Sequence, residues 1–218
     1  MWIRHTNEIF APGGPITTTA PGFSVYDSAF DRIMLIQRGN NTNVRWYDVS
    51  AGDWVEGTGT PFGYSDNCDS VSGNRESGCA FLIPERDLLI CAYSSGGVVR
   101  IEWMDISVAQ PTLGGVATLS QSLSTYEIGT SDGSRWGACT YCTHSGKIIA
   151  AAVEEDDEAA YEITVPATLT DTWTVTRAPY GTGQTFFPAG HTVHQNFQSD
   201  ENLKSIVFFL GAVQAPGN

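Results

Sequence analysis

The chain is poor in charged residues and especially in basic ones. Of its 218 residues, 24 are acidic and 11 are Lys or Arg, and no basic run of five or more occurs. Nucleic-acid backbones and anionic membrane surfaces are bound through clustered Lys and Arg. We therefore expect neither nucleic acid nor membrane as a partner. The net charge of -13 instead favours a partner protein with a basic surface, and it makes the association sensitive to salt.

Long apolar runs and a leader sequence are also missing. No apolar run approaches the roughly 18 residues that a helix needs to span a bilayer. Residues 1–8 lack the basic-then-apolar order of a signal peptide. The sequence thus predicts a protein that is made in a cytoplasm and is not secreted by a signal peptide.

Cysteine and histidine are too few, and too scattered, for a metal centre. Five cysteines are an odd number, so we expect them to be reduced and mostly buried. Cys139 and Cys142 have the spacing of half a zinc knuckle, but a structural zinc needs four ligands and no second close pair exists. His191 and His194 lie three apart on an expected strand and point to opposite faces. We expect no bound zinc and no cofactor.

Two groups of carboxylates leave alternatives open. The run Glu154–Glu158 could hold calcium, but it lacks the glycine and the alternating ligands of calcium loops, which favours a solvated hairpin tip. Asp27, Asp31 and Glu76 lie near expected inner strands and could form a pair for glycoside hydrolysis. No Gly-x-Ser-x-Gly elbow is present. We expect a protein that is not an enzyme and needs no calcium to fold.

What the sequence does have is an internal repeat of strand pairs. Short runs of apolar and β-branched residues alternate with Gly, Asn, Asp and Pro, which is the pattern of strands and turns. Three hairpins close on an acidic residue, at Asp48, Asp105 and Glu162, with a constant spacing of 57 residues. These hairpins indicate a structural unit that occurs several times.

A second marker recurs about ten residues before each hairpin. Glycines open short strands at Gly22, Gly78, Gly137 and Gly190, with spacings of 56, 59 and 53 residues. A further strand follows each hairpin, around Trp54 in the first unit, at 117–119 in the second and around Trp173 in the third. Four antiparallel strands in about 55 residues are typical of a propeller blade.

The fold prediction is an all-β, four-bladed β-propeller that forms a single domain over residues 1–218. The expected blades are about 22–66, 67–120, 121–183, and 184–218 plus 1–10. Strands of the first blade are expected near 22–27, 33–38, 43–49 and 53–57. The fourth copy is short, so we expect two N-terminal strands within residues 2–10 to join the C-terminal blade at Ile206–Leu210. Closing the ring in this way removes exposed sheet edges.

Two resemblances bear on function. Tyr47-Asp48-Val49-Ser50-Ala51-Gly52-Asp53-Trp54 resembles the Tyr-x6-Trp part of a kelch repeat, which implies a β-propeller. The short, acidic, Gly/Thr-rich chain with Pro-rich ends also looks like a bacteriophage virion component. That resemblance implies a structural protein in the capsid, neck or tail, which binds other virion proteins including copies of itself.

The Pro/Thr-rich segment near the N-terminus is the predicted partner-binding arm. Its prolines favour extended conformations, and its threonines suit pairing with a partner's strand. The candidate residues are Phe10, Pro12, Pro15, Ile16, Thr17, Thr18, Thr19 and Pro21. The alternative is a linker that lies along its own propeller.

Two other functions remain open at the level of sequence. A carbohydrate-binding propeller module or a glycosidase-like hydrolase could use the six Trp and eight Tyr residues to stack on sugars. However, Trp46, Trp54, Trp103 and Trp173 lie at repeat positions, which favours packing between blades. The leading hypothesis is a non-enzymatic structural and interaction protein.

Overall fold

The computed structural model of the chain describes residues 10–11, 14–15, 22–37, 43–63, 78–95, 98–123, 139–154, 157–178, 197–200 and 205–208. These residues form β-strands and turns, with one 3₁₀ turn at Pro84–Arg86 and no α-helix. Within the same stretches, no helix is long and apolar enough to cross a membrane. The predicted all-β class with several antiparallel sheets is confirmed.

Sheet I is an antiparallel meander in which each strand pairs with the next along the chain. A two-residue pair, β1 (Phe10–Ala11) and β2 (Gly14–Pro15), precedes it. The strands of sheet I are β3 (Gly22–Asp27), β4 (Arg32–Gln37), β5 (Arg45–Asp48) and β6 (Asp53–Glu56). All four begin and end within two residues of their predicted positions.

Sheet II repeats this meander. Its strands are β7 (Gly78–Ile83), β8 (Leu88–Ser95), β9 (Val98–Asp105) and β10 (Leu113–Val116). The prediction that 117–119 is the fourth strand of this unit is wrong, because Leu113–Val116 pairs with β9. Glycines in a segment argue against predicting a strand there from the sequence. Here Gly114 is required, since a Cβ would lie 1.8 Å from the Trp103 ring.

Sheet III is a third meander with one strand added at its edge. The added strand is β11 (Thr118–Leu119), which follows sheet II in the chain and pairs parallel to β15. The meander consists of β12 (Cys139–Cys142), β13 (Lys147–Glu154), β14 (Asp157–Thr164) and β15 (Thr172–Ala178). A final antiparallel pair joins β16 (Phe197–Asp200) to β17 (Ser205–Phe208).

When the three sheets are superimposed by their strand pairing, two of the three acidic residues that close the hairpins occupy the same position. Corresponding cross-strand pairs are Ile33–Tyr47, Leu89–Met104 and Ile148–Ile163. The residues that follow are Asp48, Asp105 and Thr164. Glu162 therefore lies two residues before the position that its spacing suggested, so the acidic marker is shared by units one and two only.

The connection between the first two strands is the most regular part of the repeat. It has four residues in each of sheets I, II and III and ends on a left-handed residue, at Asp31 (φ 47°), Asp87 (φ 48°) and Gly146 (φ 65°). Four residues also separate β16 from β17. The sequence placed the first strand of unit four at 190–194, which lies outside the described residues. Phe197–Asp200 instead keeps the four-residue connection.

The first strands of successive units lie side by side. β3 contacts β7, β7 contacts β12, and β12 contacts β16. The sheets therefore follow one another in chain order, each with its first strand next to the first strand of its neighbour.

Two apolar clusters fill the seams between these sheets. The seam between sheets I and II (the I–II seam) is formed by Met34, Ile36, Val44, Trp46, Phe62, Leu89, Cys91, Tyr93, Met104 and Ile106. The seam between sheets II and III (the II–III seam) contains Cys79, Ile83, Leu88, Ile90, Ala92, Val99, Ile101, Leu123, Cys139, Tyr141, Ile148, Ala150, Tyr161, Ile163, Trp173 and Val175. Sheet II is thus covered on both faces, because its alternate side chains belong to different seams.

Sheet I has an aromatic face that belongs to neither cluster. Tyr26, Ile33, Tyr47 and Trp54 occupy one row of cross-strand partners. Directly paired residues point to the same face of a sheet, so this row faces away from the I–II seam. Tyr26 is 52% exposed, and the rings of Tyr47 and Trp54 meet edge to face at 5.4 Å.

The chain that leaves each sheet runs along the outer strand of the next. The N–H of Leu113 in β10 donates to the carbonyl of Thr60 at 2.8 Å, and the N–H of Ser120 donates to the carbonyl of Trp173 in β15 at 2.9 Å. The approach at the first crossing is close, because a Cβ at Gly59 would lie 2.0 Å from the carbonyl oxygen of Pro111. Sheets I and II are therefore each joined to the following sheet by backbone as well as side chains.

Candidate binding surface at the turn end of the sheets

Sheets I to III present the turns between strands one and two and between strands three and four at one common end. In a meander, the connection between strands one and two and the connection between strands three and four leave the same end of the sheet. We call the surface made by these turns the turn face. Its segments are 28–31, 49–52, 84–87, 106–112, 143–146 and 165–171.

Arg32 joins sheet I to the turn face of sheet II. Its Nε donates to Oδ2 of Asp27 at 2.8 Å, and both side chains are 3% exposed. Its two other nitrogens donate to the carbonyls of Ile106, Val108 and Ala109 at 2.9–3.1 Å. A buried guanidinium with this many acceptors is compensated for the loss of water.

A second arginine repeats this link one sheet further on. Arg86, in the turn between β7 and β8, donates to the carbonyls of Pro166 and Ala167 at 2.7 and 2.9 Å. Both arginines thus bind carbonyls in the connection between strands three and four of the following sheet. The turn faces of neighbouring sheets are therefore held at the same level.

Exposed apolar side chains gather around the Arg32 link. Phe30 is 40% exposed and covers the guanidinium of Arg32, whose central carbon lies 4.5 Å from the ring centroid. Val108 and Val49 are 44% and 42% exposed. The carbonyl of Val108 binds Arg32, and the N–H of Val49 donates to the carbonyl of Asp31. Clustered exposed apolar residues mark contact surfaces more often than scattered ones do.

Carboxylates surround this apolar cluster. The Asp48 carboxylate accepts from the N–H of Ala51 and the hydroxyl of Ser50, both at 2.8 Å, and these hydrogen bonds lower the pKa of Asp48. Asp105 accepts equivalent bonds from Ser107 at 2.6 and 2.9 Å. Asx turns of this kind explain why an acidic residue closes the first two hairpins. They also leave the turn face with fixed negative charge.

The described cations at this end are already engaged. Arg32 and Arg86 bind the carbonyls given above, and Lys147 pairs with Glu162. Tyr26 donates to Oδ1 of Asp31 at 2.8 Å, and this bond is the main cause that raises the pKa of the phenol. The turn face of sheets I and II consequently combines exposed apolar groups with uncompensated carboxylates.

A small crevice separates the turns of sheets I and II. It has a volume of about 60 Å³, and Ser28, Ala29, Pro84 and Asp87 form its rim. Asp27 and Ile106 lie within it, next to the Arg32 link. Its size suits a few atoms of a ligand and not a whole small molecule.

A buried acid lies at the opposite end of the I–II seam. Glu102 is fully buried, and its Oε1 accepts from the Tyr93 hydroxyl at 2.8 Å and from Nε of Arg100 at 2.9 Å. Its Oε2 accepts from the N–H of Gly63 at 2.6 Å. Burial, followed by the charge of Glu102, raises the pKa of Tyr93 well above its ordinary value. These bonds fix the chain leaving sheet I to sheet II.

The structure describes only part of the predicted partner-binding arm. Phe10 pairs with Pro15, and Phe10–Ala11 lies against β6 of sheet I. This part of the arm therefore contacts its own chain. The other candidates, which lie outside the described residues, are Pro12, Ile16, Thr17, Thr18, Thr19 and Pro21.

The structure does not bring the predicted carboxylate pair together as a pair. Asp27 binds Arg32 and the N–H of Ala29, whereas Asp31 binds Tyr26. Glu76 lies outside the described residues, as do His191 and His194. Cys139 and Cys142 are both buried in β12. Across the described stretches, no three His, Cys, Asp or Glu side chains form a group that could hold a metal ion.

Arg32, Phe30 and Glu102 were not among the candidates from sequence. Arg32 could have been predicted, because an arginine that starts an apolar strand and follows Asp27 and Asp31 indicates a buried ion pair. Nothing local distinguishes Glu102, whose role depends on Gly63, 39 residues away. Comparisons of the chain with protein-family models, with curated proteins and with solved structures found no match.

Proposed function

We propose that this chain is a non-enzymatic interaction protein, built as a closed four-bladed β-propeller, that binds neighbouring proteins in a multi-subunit assembly. The observation that carries the proposal is the turn face of sheets I and II, with its exposed Phe30, Val49 and Val108 among carboxylates. The proposed setting is a bacteriophage virion, where the partners include other virion proteins and copies of the chain itself.

The closed ring is supported by the aromatic face of sheet I, where Tyr26 is exposed and Ile33, Tyr47 and Trp54 are half-buried, while sheet II occupies the opposite side. In a ring of four units, the neighbour on this side is unit four. Burial of aromatic rings of this size is a large source of stability.

The position of β1 supports closure by the N-terminus. Segment 58–60 runs beside the outer strand of sheet II, and β11 runs beside the outer strand of sheet III. β1 lies against β6, which is the outer strand of sheet I. By this correspondence β1 is the segment that leaves unit four, and the residues before it supply the outer part of that unit.

The buried acids support a non-enzymatic role. Asp27 is bound to Arg32, and Glu102 accepts three hydrogen bonds from Tyr93, Arg100 and Gly63. Each of these groups is used to hold two sheets together. A catalytic acid or base needs a position from which it reaches a substrate proton, and these two carboxylates are instead surrounded by structural donors.

The closure is tested by deleting residues 1–10. We expect the melting temperature to fall by roughly 5–15 °C, because the deletion exposes the edge of unit four and the aromatic face of sheet I. A control replaces the same ten residues with a Gly/Ser segment of equal length, and it should be as unstable as the deletion. An unchanged melting temperature in the deletion would refute N-terminal closure.

The assembly role is tested on the native particle or complex. We expect the chain to co-purify with other proteins and the double variant Phe30→Ser/Val108→Ser to be lost from the assembly while it remains folded. Val116→Ser is the matched control, because Val116 is 43% exposed on the outer strand of sheet II. Detection only as a free monomer, or equal incorporation of both variants, would contradict the proposal.

A carbohydrate-binding module is the second candidate. Tyr26 and Phe30 are exposed aromatic residues beside the carboxylate of Asp31, a combination that can stack on and hydrogen-bond a sugar. A glycan array probed with the wild-type chain and with Tyr26→Ala separates the two functions. Glycan binding that Tyr26→Ala abolishes, with no association with proteins, would favour this candidate.

A further inference from the structure

Two thiols from different sheets meet in the II–III seam. Cys79 belongs to β7 and Cys139 to β12, the first strands of their sheets, and these strands contact each other. The two side chains are 6% and 4% exposed and share one apolar cluster. The neighbouring Cys79 thiol contributes to raising the pKa of the Cys139 thiol, which indicates that the two side chains lie next to each other. The pairing is long-range, because sixty residues separate the cysteines in the chain.

We propose that Cys79 and Cys139 are a disulfide-forming pair that covalently links sheets II and III when the protein meets an oxidising environment. The inference does not depend on the proposed function, since it concerns a seam away from the turn face of sheets I and II. Both cysteines are thiols in the structure described here. Reducing cytoplasm keeps such a pair open, and conditions outside cells favour the bond.

The oxidant required is a small disulfide such as oxidised glutathione. One thiol loses its proton, and its sulfur attacks the glutathione disulfide, which gives a mixed disulfide and one glutathione thiolate. The second cysteine then attacks the mixed disulfide and releases the other glutathione thiolate. One Cys79–Cys139 bond forms, one glutathione S–S bond breaks, and the two protons pass to the released thiolates.

Burial makes this reaction slow in the closed seam. Burial, and then the neighbouring Cys79 thiol, raise the pKa of the Cys139 thiol, so little reactive thiolate exists at neutral pH. Access also requires the seam to open. The oxidation rate should therefore rise with pH and with low concentrations of denaturant, and the finished bond should resist reduction while the protein is folded.

The bond closes a long loop and should raise stability. A cross-link over sixty residues removes many conformations of the unfolded chain. For a chain of this length we expect the melting temperature to rise by roughly 5–15 °C. The gain should disappear when a strong reductant is added after unfolding.

The test is oxidation of the full chain with oxidised glutathione, followed by peptide mapping without reductant. We expect one cross-linked peptide pair that contains Cys79 and Cys139, a mass lower by about 2 Da for two lost hydrogens, and the higher melting temperature. Cys79→Ala should abolish the cross-link. Cys91→Ala is the matched control, since Cys91 is equally buried but lies in the I–II seam, and it should keep the cross-link.

Mapping of the wild-type chain decides the question even if a variant does not fold. A cross-link that joins any other pair of cysteines would overturn the proposal. So would prolonged oxidation that leaves both thiols free, or a Cys79–Cys139 bond that lowers the melting temperature.

Discussion

The I–II and II–III seams join sheets of the same topology by different chemistry. The I–II seam has an apolar centre with a buried ion pair at one end and the bonded Glu102 at the other. Among the described ion pairs, none with a fully buried carboxylate lies in the II–III seam, and its arginine, Arg86, is half-exposed. Backbone repetition therefore does not require side-chain repetition. What is kept between the two seams is the direction in which an arginine reaches the next sheet.

The difference predicts unequal tolerance to substitution. Buried charges are stable only while all their partners are present, so the ends of the I–II seam should respond steeply to single changes. An apolar seam loses stability in proportion to the volume removed. Measuring how far substitutions in each seam lower the free energy of unfolding tests this difference.

Removal of the Arg32 link should have the largest effect. Arg32→Met leaves Asp27 as an uncompensated buried charge and three carbonyls without their donor, so we expect the free energy of unfolding to fall by about 3–5 kcal/mol. Arg86→Met, the matched change at the half-exposed link, should cost about 1 kcal/mol. Urea denaturation measures both. Equal losses would show that the two links are equivalent and the contrast is wrong.

Truncation in the II–III seam should have the next largest effect. Ile163 is fully buried, and Ile163→Ala should lower the free energy of unfolding by about 2–4 kcal/mol through lost burial and a cavity. Because no charge is involved, the loss should be the same at low and high salt. A loss that changes with salt would indicate a polar contribution to this seam.

Loss of the Tyr93 hydroxyl should have an intermediate effect. Tyr93→Phe removes one of three donors to the buried Glu102 carboxylate, and hydrogen bonds to charged groups contribute about 2 kcal/mol each. The control is Tyr26→Phe, which removes an exposed phenol that also donates to a carboxylate. Urea denaturation should show a clearly smaller loss for Tyr26→Phe. Equal losses would mean that burial does not strengthen the bond to Glu102.

The smallest effect concerns pH and the turn face. The pKa of Asp48 is lowered in the folded protein, so its ionised form contributes stability above the ordinary pKa of about 4. That contribution is lost as pH falls through the lower, folded pKa. Asp48→Asn keeps a turn-forming side chain without the charge, so its melting temperature should fall less between pH 7 and pH 3. An identical fall in both proteins would exclude a role for Asp48.

The strands could be predicted from sequence because their signals are local. The four strands of sheet I follow from apolar runs between turn residues. The turns after Asp48 and Asp105 are indicated by these residues, because their side chains accept hydrogen bonds within the turn. The fourth strand of sheet II could not be found in this way. Leu113–Val116 contains two glycines, and only the Trp103 ring packed over them explains why they belong in a strand.

The candidate surface was less predictable because its contacts are distant in the chain. Arg32 binds carbonyls 74–77 residues away, and no local pattern carries that information. The same holds for the meeting of Cys79 and Cys139, which depends on how two sheets face each other. Composition gave the net negative charge of the chain, but it did not indicate which surface carries that charge.

The segments that leave one sheet and pair with the next make the protein behave as a chain of nearest-neighbour couplings. Residues around Thr60 are bonded to the outer strand of sheet II, and β11 is a strand of sheet III although it directly follows sheet II in sequence. Sheet II therefore cannot be excised at its unit boundary together with residues 118–119 without taking a strand from sheet III. Unfolding that begins at one sheet must strip the edge of the next, which spreads cooperativity along the row.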